Sequence, residues 1–159
     1  MTSSNSEFAN AWYLTGPTAA GKTAVGIELS KQLDAEIISL DSMALYRGMD
    51  IGTAKPSPAE RREVPHHLID ILEPSQEFSV AQYLDAAEKT VQEISRRRKQ
   101  VLFVGGTALY LKALLRGLFS GPVANWELRR ELEEIVRHEG AESLHRKLQK
   151  VDPVAAAKL

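Results

Sequence analysis

The sequence predicts an α/β fold in which a parallel sheet is flanked by helices. Short apolar, β-branched runs alternate with helix-period segments, and the first run passes directly into the glycine-rich stretch Gly16-Pro17-Thr18-Ala19-Ala20-Gly21-Lys22-Thr23. From Trp126 onward the composition shifts to charged, helix-forming residues, which marks a second, α-helical region.

Ala11 to Thr15 (AWYLT) reads as a buried strand ended by the Gly16-Pro17 turn. A helix follows from Lys22 to about Leu33, with Val25, Ile27, Leu29 and Leu33 turned towards a core. Glu36 to Leu40 (EIISL) is the next strand, stopping at Asp41-Ser42. Strand, helix and strand form a βαβ unit, whose strands run parallel through a right-handed crossover. Residues 47–66 are rich in Gly, Pro and charge and read as a loop with one helical turn near Pro58 to Arg62; such a long irregular piece in a compact domain is functional or disordered. His66 to Leu72 is expected to be a short strand. Ser79 N-caps a helix through Ile94, closed by the basic cluster Arg96-Arg97-Arg98-Lys99, whose charge complements the helix dipole, the alternative being an RNA patch. Val101 to Val104 is a strand buried on both faces, and Gly105-Gly106-Thr107 turns it into a helix reaching Leu115. Beyond a boundary near Gly121-Pro122, ELRRELEEIVRHEG and ESLHRKLQKV form a helical hairpin with Gly140 as the C-cap between them.

The 159 residues are 43% hydrophobic and 26% charged, enough apolar material for one sizeable core. A formal charge of −1 gives no overall basic field, so a polyanionic partner would have to meet a local patch. Without cysteine there are no disulfides, thiolate zinc sites or cysteine nucleophiles. The N-terminal MTSSNSEFAN has neither a basic n-region nor an apolar core and is expected to be a frayed tail, and no run of about 18 apolar residues occurs, so a cytoplasmic protein off the membrane is expected.

The stretch from Gly16 to Thr23 matches G-x-x-x-x-G-K-[ST] in full and sits between a strand and a helix, as the phosphate-binding loop requires. The glycines let backbone N–H groups turn inward, the helix dipole adds positive charge, Lys22 neutralises phosphate and Thr23 is placed to ligate magnesium. The same cradle serves hydrolases, kinases and transferases, so further residues must discriminate. A kinase or hydrolase would be expected to end a strand in an acidic magnesium partner, yet VLFV ends in Gly105-Gly106-Thr107. The acidic residue stands after the earlier strand, at Asp41. Parallel strands open onto one crevice, so Asp41, Ser42 and Thr107 are expected beside the phosphate site, where a carboxylate could accept a proton or help to hold magnesium. Capping of a helix by Asp41 is the alternative.

These residues resemble one family, the tRNA dimethylallyltransferases (tRNA isopentenyltransferases). The resemblance rests on GPTAAGKT (Gly16–Thr23), ISLDSMALYRGMDIGTAKP (Ile38–Pro56), HHLIDI (His66–Ile71), FSVAQY (Phe78–Tyr83) and LFVGGTALYLKALLRGL (Leu102–Leu118), with a helical continuation in ESLHRKLQKVDPVAAAKL. It implies a P-loop NTPase-like core over 1–121 and, over 122–159, the beginning of a helical tRNA-binding insertion domain. It implies transfer of a dimethylallyl group from dimethylallyl diphosphate to the exocyclic amine of the adenine 3′ of the anticodon in tRNA, releasing diphosphate, with Mg2+. Gly16, Pro17, Thr18, Ala19, Ala20, Gly21, Lys22 and Thr23 would hold the diphosphate, with Thr23 near the metal. Asp41 would accept the amine proton; Ser42, Met43 and Ala44 would line the flipped adenine; Thr107 would contact the RNA or the reacting group, and Arg129 would be a further tRNA contact. The family is about twice this length, so the resemblance also implies a fragment, expected to be monomeric. The rival readings are prenylation of free adenosine phosphates, a P-loop kinase of a small metabolite, and a truncated phosphate binder without chemistry.

Several other residues invite functional readings. The adjacent His66 and His67 suggest a metal, but neighbouring side chains of an extended chain point apart and no third ligand is evident. Trp126, Tyr110 and Phe119 could stack bases or seal a domain junction. Arg47 and Lys55 could meet phosphate or RNA or stay solvated; Asp50 is equally open.

Overall fold

The structure is a computed structural model describing residues 8–53, 55–118 and 124–159. Four parallel strands, β1 (Trp12–Thr15), β2 (Ala35–Leu40), β3 (His66–His67) and β4 (Gln100–Gly105), form a sheet in the order β1-β4-β2-β3. Each crossover contains a helix: α1 (Lys22–Leu33) between β1 and β2, the single turn α2 (Glu60–Glu63) before β3, and α3 (Val80–Arg96) before β4. Helix α4 (Ala108–Arg116) leaves β4, and α5 (Trp126–Glu139), α6 (Ala141–Val151) and α7 (Pro153–Ala156) follow. The chain divides into two compact units, Met1–Phe119 and Ser120–Leu159. The sequence-based boundary at Gly121-Pro122 lies outside the described residues.

Alternation along the strands sorts the core into two layers. Ile38, Leu40, Val101 and Phe103 face α3 and α4, where Tyr83, Ala87, Val91, Ile94, Tyr110 and Leu114 bury against them. Ile37, Leu102 and Ala35 face the other way, with Ile27 and Val64, against α1. Gly26 lets α1 sit close: a Cβ there would lie 3.1 Å from Val104 Cγ2. Helix α3 starts with a full capping box, the Ser79 hydroxyl accepting from Gln82 N and the Gln82 side chain accepting from Ser79 N.

The structure corrects five expectations. Strand β1 is an edge of the described sheet rather than a buried strand, and Trp12 is exposed. The N-terminal tail reading fails at Phe8, which is buried edge-on against Phe103, its carbonyl accepting from the Tyr13 hydroxyl; residues 1–7 lie outside the described residues. Val25 on α1 is exposed, because Gly26, Ile27 and Ser30 form the inward stripe. The strand at His66 to Leu72 shrinks to two residues, since Leu68 and Asp70 adopt positive φ (both 56°), which breaks the extended ladder; the segment re-pairs only at Tyr46–Leu72. The basic cluster after α3 does more than complement a dipole. Arg97 makes two hydrogen bonds to the buried carboxylate of Glu36 (2.9 and 2.7 Å), and Lys99 pairs with Asp34, tying the end of α3 to the start of β2.

In the second unit, Asn125 caps α5 by accepting from Leu128 N, and Gly140, at φ 80°, ends α5 and begins α6. Asp152 caps α7, and the His145 ring reaches the Ala156 carbonyl at 3.0 Å. Among the described residues no helix is long and apolar enough to cross a membrane.

Candidate functional site

Register decides what meets at the carboxyl edge of the sheet. Thr15 and Leu40 both lie opposite Gly105, so the next residues of the three strands, Gly16, Asp41 and Gly106, stand at one level. Strands β2 and β4 approach closely here: a Cβ on Gly105 would lie 2.3 Å from the Leu40 carbonyl oxygen, and one on Gly106 would lie 3.3 Å from that of Gly16. The double glycine that replaces a terminal carboxylate is therefore a packing requirement, letting the P-loop and the β2 end close on β4.

The two strand ends are also stitched by hydrogen bonds. Thr107 N donates to Leu40 O at 3.0 Å, and Ser42 N donates to Thr107 Oγ1 at 3.0 Å. Asp41 does not cap a helix. Its Oδ1 accepts from Met43 N at 2.9 Å and fixes a turn, which leaves Oδ2 for other partners.

These elements enclose a cleft of about 630 Å³, lined by the whole loop Gly16 to Thr23 together with Asp41, Met43, Ala44 and Thr107. Ser42 is not part of this lining; it holds Thr107 instead. In the loop, Gly21 is the left-handed N-cap of α1 (φ 79°) and no side chain caps that helix, so its leading N–H groups are offered to the cleft by geometry and dipole. Lys22 Nζ donates to Gly16 O (2.9 Å) and Pro17 O (2.7 Å), which holds the ammonium over the loop.

The cleft has a second wall that sequence reasoning missed: Gly52, Thr53, Pro56, His66 and Ile69 line it together with Ile37 and Ser39 of β2. Burial pushes the His66 imidazolium below its ordinary value; its Nδ1 lies 2.8 Å from Val64 O, so the neutral ring donates there and keeps Nε2 as an acceptor. His67 lies 2.6 Å from Glu36 and belongs to the Arg97 cluster. The wall segment is anchored by Lys55, whose side chain is 1% exposed and whose ammonium donates to Tyr46 O, Asp50 and Asp70 at 2.7 to 2.8 Å. Burial alone would lower the Lys55 pKa, but the hydrogen bonds to the two carboxylates hold it above the ordinary value. Lys55 is thus a buried structural cation, neither a solvated charge nor a free phosphate ligand. Arg47 is likewise engaged, with the Asp70 carbonyl and Glu73. The spacing of Lys55 between Asp50 and Asp70, inside a loop too long to be held by turns alone, was the available signal.

Two of the aromatic residues separate. Tyr110 is buried, stacked on Tyr83 at 3.9 Å between ring centres, and is core rather than a base platform or a junction seal. Trp126 is exposed on α5, with the Arg129 guanidinium 5.0 Å from its ring centre. Phe119 lies outside the described residues. Among the described residues no group of three His, Asp or Glu side chains is placed to hold a metal ion, so a cation in the cleft would need oxygens of its ligand beside the hydroxyl of Thr23 and the carboxylate of Asp41. Both are hard oxygen donors, as Mg2+ requires.

Comparison with known families decides the kinship: the family model described as IPP transferase matches residues 44–159. The chain belongs to the IPP transferase family. IPP transferase relatives include the tRNA dimethylallyltransferase of Geobacter metallireducens, 53% identical over 144 residues, covering 91% of this chain and 47% of the relative. That of Methylococcus capsulatus is 51% identical over 146 residues, with 92% and 47% covered. Among solved structures, the tRNA isopentenylpyrophosphate transferase of Bacillus halodurans superposes with a TM-score of 0.68 at 47% identity, over 94% of this chain and 50% of that one. A eukaryotic dimethylallyltransferase acting on tRNA gives 0.73 at 29% identity, over 94% and 37%. The chain thus spans about half the length of the curated relatives it matches.

Proposed function

We propose that this chain carries the donor-binding part of a tRNA dimethylallyltransferase, with residues 1–121 as the catalytic core and 122–159 as the start of an RNA-binding helical region. The observation that carries the reading is the single cleft in which a phosphate loop faces a carboxylate and a threonine hydroxyl. The kinship with tRNA dimethylallyltransferases supports the same choice of donor and acceptor.

In this mechanism the diphosphate of dimethylallyl diphosphate lies on the N–H groups of residues 16–23, with the Lys22 ammonium moving from the loop carbonyls onto phosphate oxygen. The bond between C1 of the prenyl group and the bridging oxygen breaks as the adenine N6 bonds to C1. The electron pair leaves with diphosphate, and the loop N–H groups and Lys22 stabilise the growing charge. The proton lost from N6 goes to Asp41 Oδ2, while Oδ1 stays engaged by Met43 N. Thr107, its hydroxyl held by Ser42 N, lines the same cleft as Asp41, and Met43 and Ala44 flank the base, which must leave its stack to enter. Mg2+, held by diphosphate oxygens and Thr23, would add positive charge on the leaving group. In the helical region, Arg129 over Trp126 supplies a cationic, aromatic surface for RNA.

The test pairs two variants. Asp41→Ala should bind dimethylallyl diphosphate like the parent in calorimetry while transfer of labelled prenyl to an anticodon stem-loop falls by about 10²–10⁴-fold. Lys22→Ala should weaken donor binding itself. Normal turnover by Asp41→Ala would remove the general-base role. Faster transfer to adenosine monophosphate than to the stem-loop would overturn the acceptor, and ATP turnover without a prenyl donor would overturn the reaction class.

A further inference from the structure

Two aliphatic side chains stand in water directly beside residues that line the cleft. After Asp41, Met43 and Ala44 the chain leaves the lining, and it returns at Gly52 and Thr53. Ile51, the last residue before that return, is 98% exposed. On α4, Leu109 follows the lining residue Thr107 by two positions and is 56% exposed, while Tyr110, Ala113 and Leu114 form the buried stripe of the helix. A single aliphatic residue in water needs no explanation on most surfaces. Here the backbone is organised to present both. Gly48 and Gly52, at φ 70° and 77°, turn the tip that carries Ile51, and Thr53 Oγ1 closes it by donating to Met49 O at 2.7 Å. Asp50, beside the tip, accepts from the buried Lys55 ammonium at 2.8 Å, so its charge is met and does not oppose a polyanion. Leu109 is held as firmly: Thr107 N donates to Leu40 O, the Thr107 hydroxyl accepts from Ser42 N, and Leu111 N closes the first turn on Thr107 O at 3.1 Å.

The proposed reaction says what such side chains meet. A base that enters the cleft leaves a gap in its strand and uncovers the faces of its two neighbours, which stay outside the mouth. Proteins that hold nucleic acid unstacked fill gaps of this kind with apolar wedges, isoleucine and leucine among them. An ordered tip suits the task, because a β-branched side chain on a pinned backbone has little rotamer freedom left to lose on contact.

We infer that Ile51 and Leu109 are RNA contacts that pack on the bases flanking the extruded adenine and hold it out of its stack. The inference rests on the proposed RNA acceptor. An anticodon stem-loop with 2-aminopurine in place of that adenine tests it, because the emission of this base rises when it leaves its stack. The parent chain, Ile51→Ser and Leu109→Ser are compared for affinity and for emission at saturation. Both residues are exposed and lie outside the cleft lining, so each variant should bind dimethylallyl diphosphate as the parent does. Each should lose about fivefold to tenfold in affinity for the stem-loop, the scale of leaving one aliphatic side chain half uncovered, together with part of the emission rise. On a stem-loop whose two flanking nucleotides are abasic, parent and variants should bind alike. A variant that matches the parent in both readouts overturns the assignment of its residue. A deficit that persists on the abasic stem-loop overturns the flanking bases as the contact. Loss of a dimer in sedimentation by Ile51→Ser, with RNA affinity unchanged, assigns the tip to a second copy of the chain and overturns the inference too. A parent chain that binds dimethylallyl diphosphate but not the stem-loop refutes the RNA acceptor itself.

Discussion

Replacing Gly105 by alanine should break the seam between β2 and β4. The added Cβ would lie 2.3 Å from the Leu40 oxygen, 2.4 Å from its carbonyl carbon and 2.8 Å from its Cα, all backbone atoms that cannot rotate away. Comfortable carbon contacts begin near 3.5 Å, so the strands must part by about 1 Å at this end. Overpacking of this kind costs roughly 1–3 kcal/mol, and loss of the Thr107 N to Leu40 O bond adds about 1 kcal/mol. The sum, on the order of 2–4 kcal/mol, should lower the midpoint by about 10 °C for a unit of this size. Of the two tryptophans, Trp12 lies on β1 and Trp126 on α5, so Trp12 fluorescence in a Trp126→Phe background reports the sheet unit in urea and thermal unfolding. Gly106→Ala is the control, because its nearest new neighbour, Gly16 O, lies at 3.3 Å and smaller shifts relieve it. Equal stability of Gly105→Ala and parent, within about 0.5 kcal/mol, would refute the steric account.

The Glu36 cluster should make the fold acid-sensitive. The hydrogen bonds from Arg97 hold the Glu36 carboxyl below its ordinary 4.5, outweighing burial, with His67 adding to the effect. A depressed folded-state value contributes stability that is present above about pH 4.5 and is lost as pH falls through that lower value. Glu36→Gln should therefore be less stable than the parent at pH 7, and the difference from the parent should narrow towards pH 3 in urea titrations. A difference that stays constant with pH contradicts the linkage. Ser79→Ala should cost about 1 kcal/mol through loss of the α3 capping box while Ser79→Asp keeps most of it, as read by thermal circular dichroism; equal losses in the two variants would rule out the cap as the cause.

What could be read from the sequence followed from local signals. The phosphate loop, the Ser79 cap and the apolar run at Val101–Val104 each declare themselves within a few residues, and the parallel direction of the strands, though not their order, follows from the crossover rule. Asp41 and Thr107 fall together because parallel strands end on one edge. Long-range pairings were out of reach. Nothing near Glu36 announces Arg97, 61 positions away, although a carboxylate inside an otherwise apolar strand signals that a partner exists. Lys55 and Asp70 look like ordinary loop charges until the fold brings Tyr46, Asp50 and Arg61 around them. The early end of β3 depends on two positive φ angles at Leu68 and Asp70, residue types that do not advertise such a conformation as glycine would.

The bond from Ser42 N to Thr107 Oγ1 and that from Thr107 N to Leu40 O fasten two chain segments 65 residues apart in sequence into one body at the mouth of the cleft. A backbone already immobilised has little freedom left to surrender when a guest settles against it. The entropic toll of capture then falls on the side chains that still move, the exposed thioether of Met43 and the long stem of Lys22.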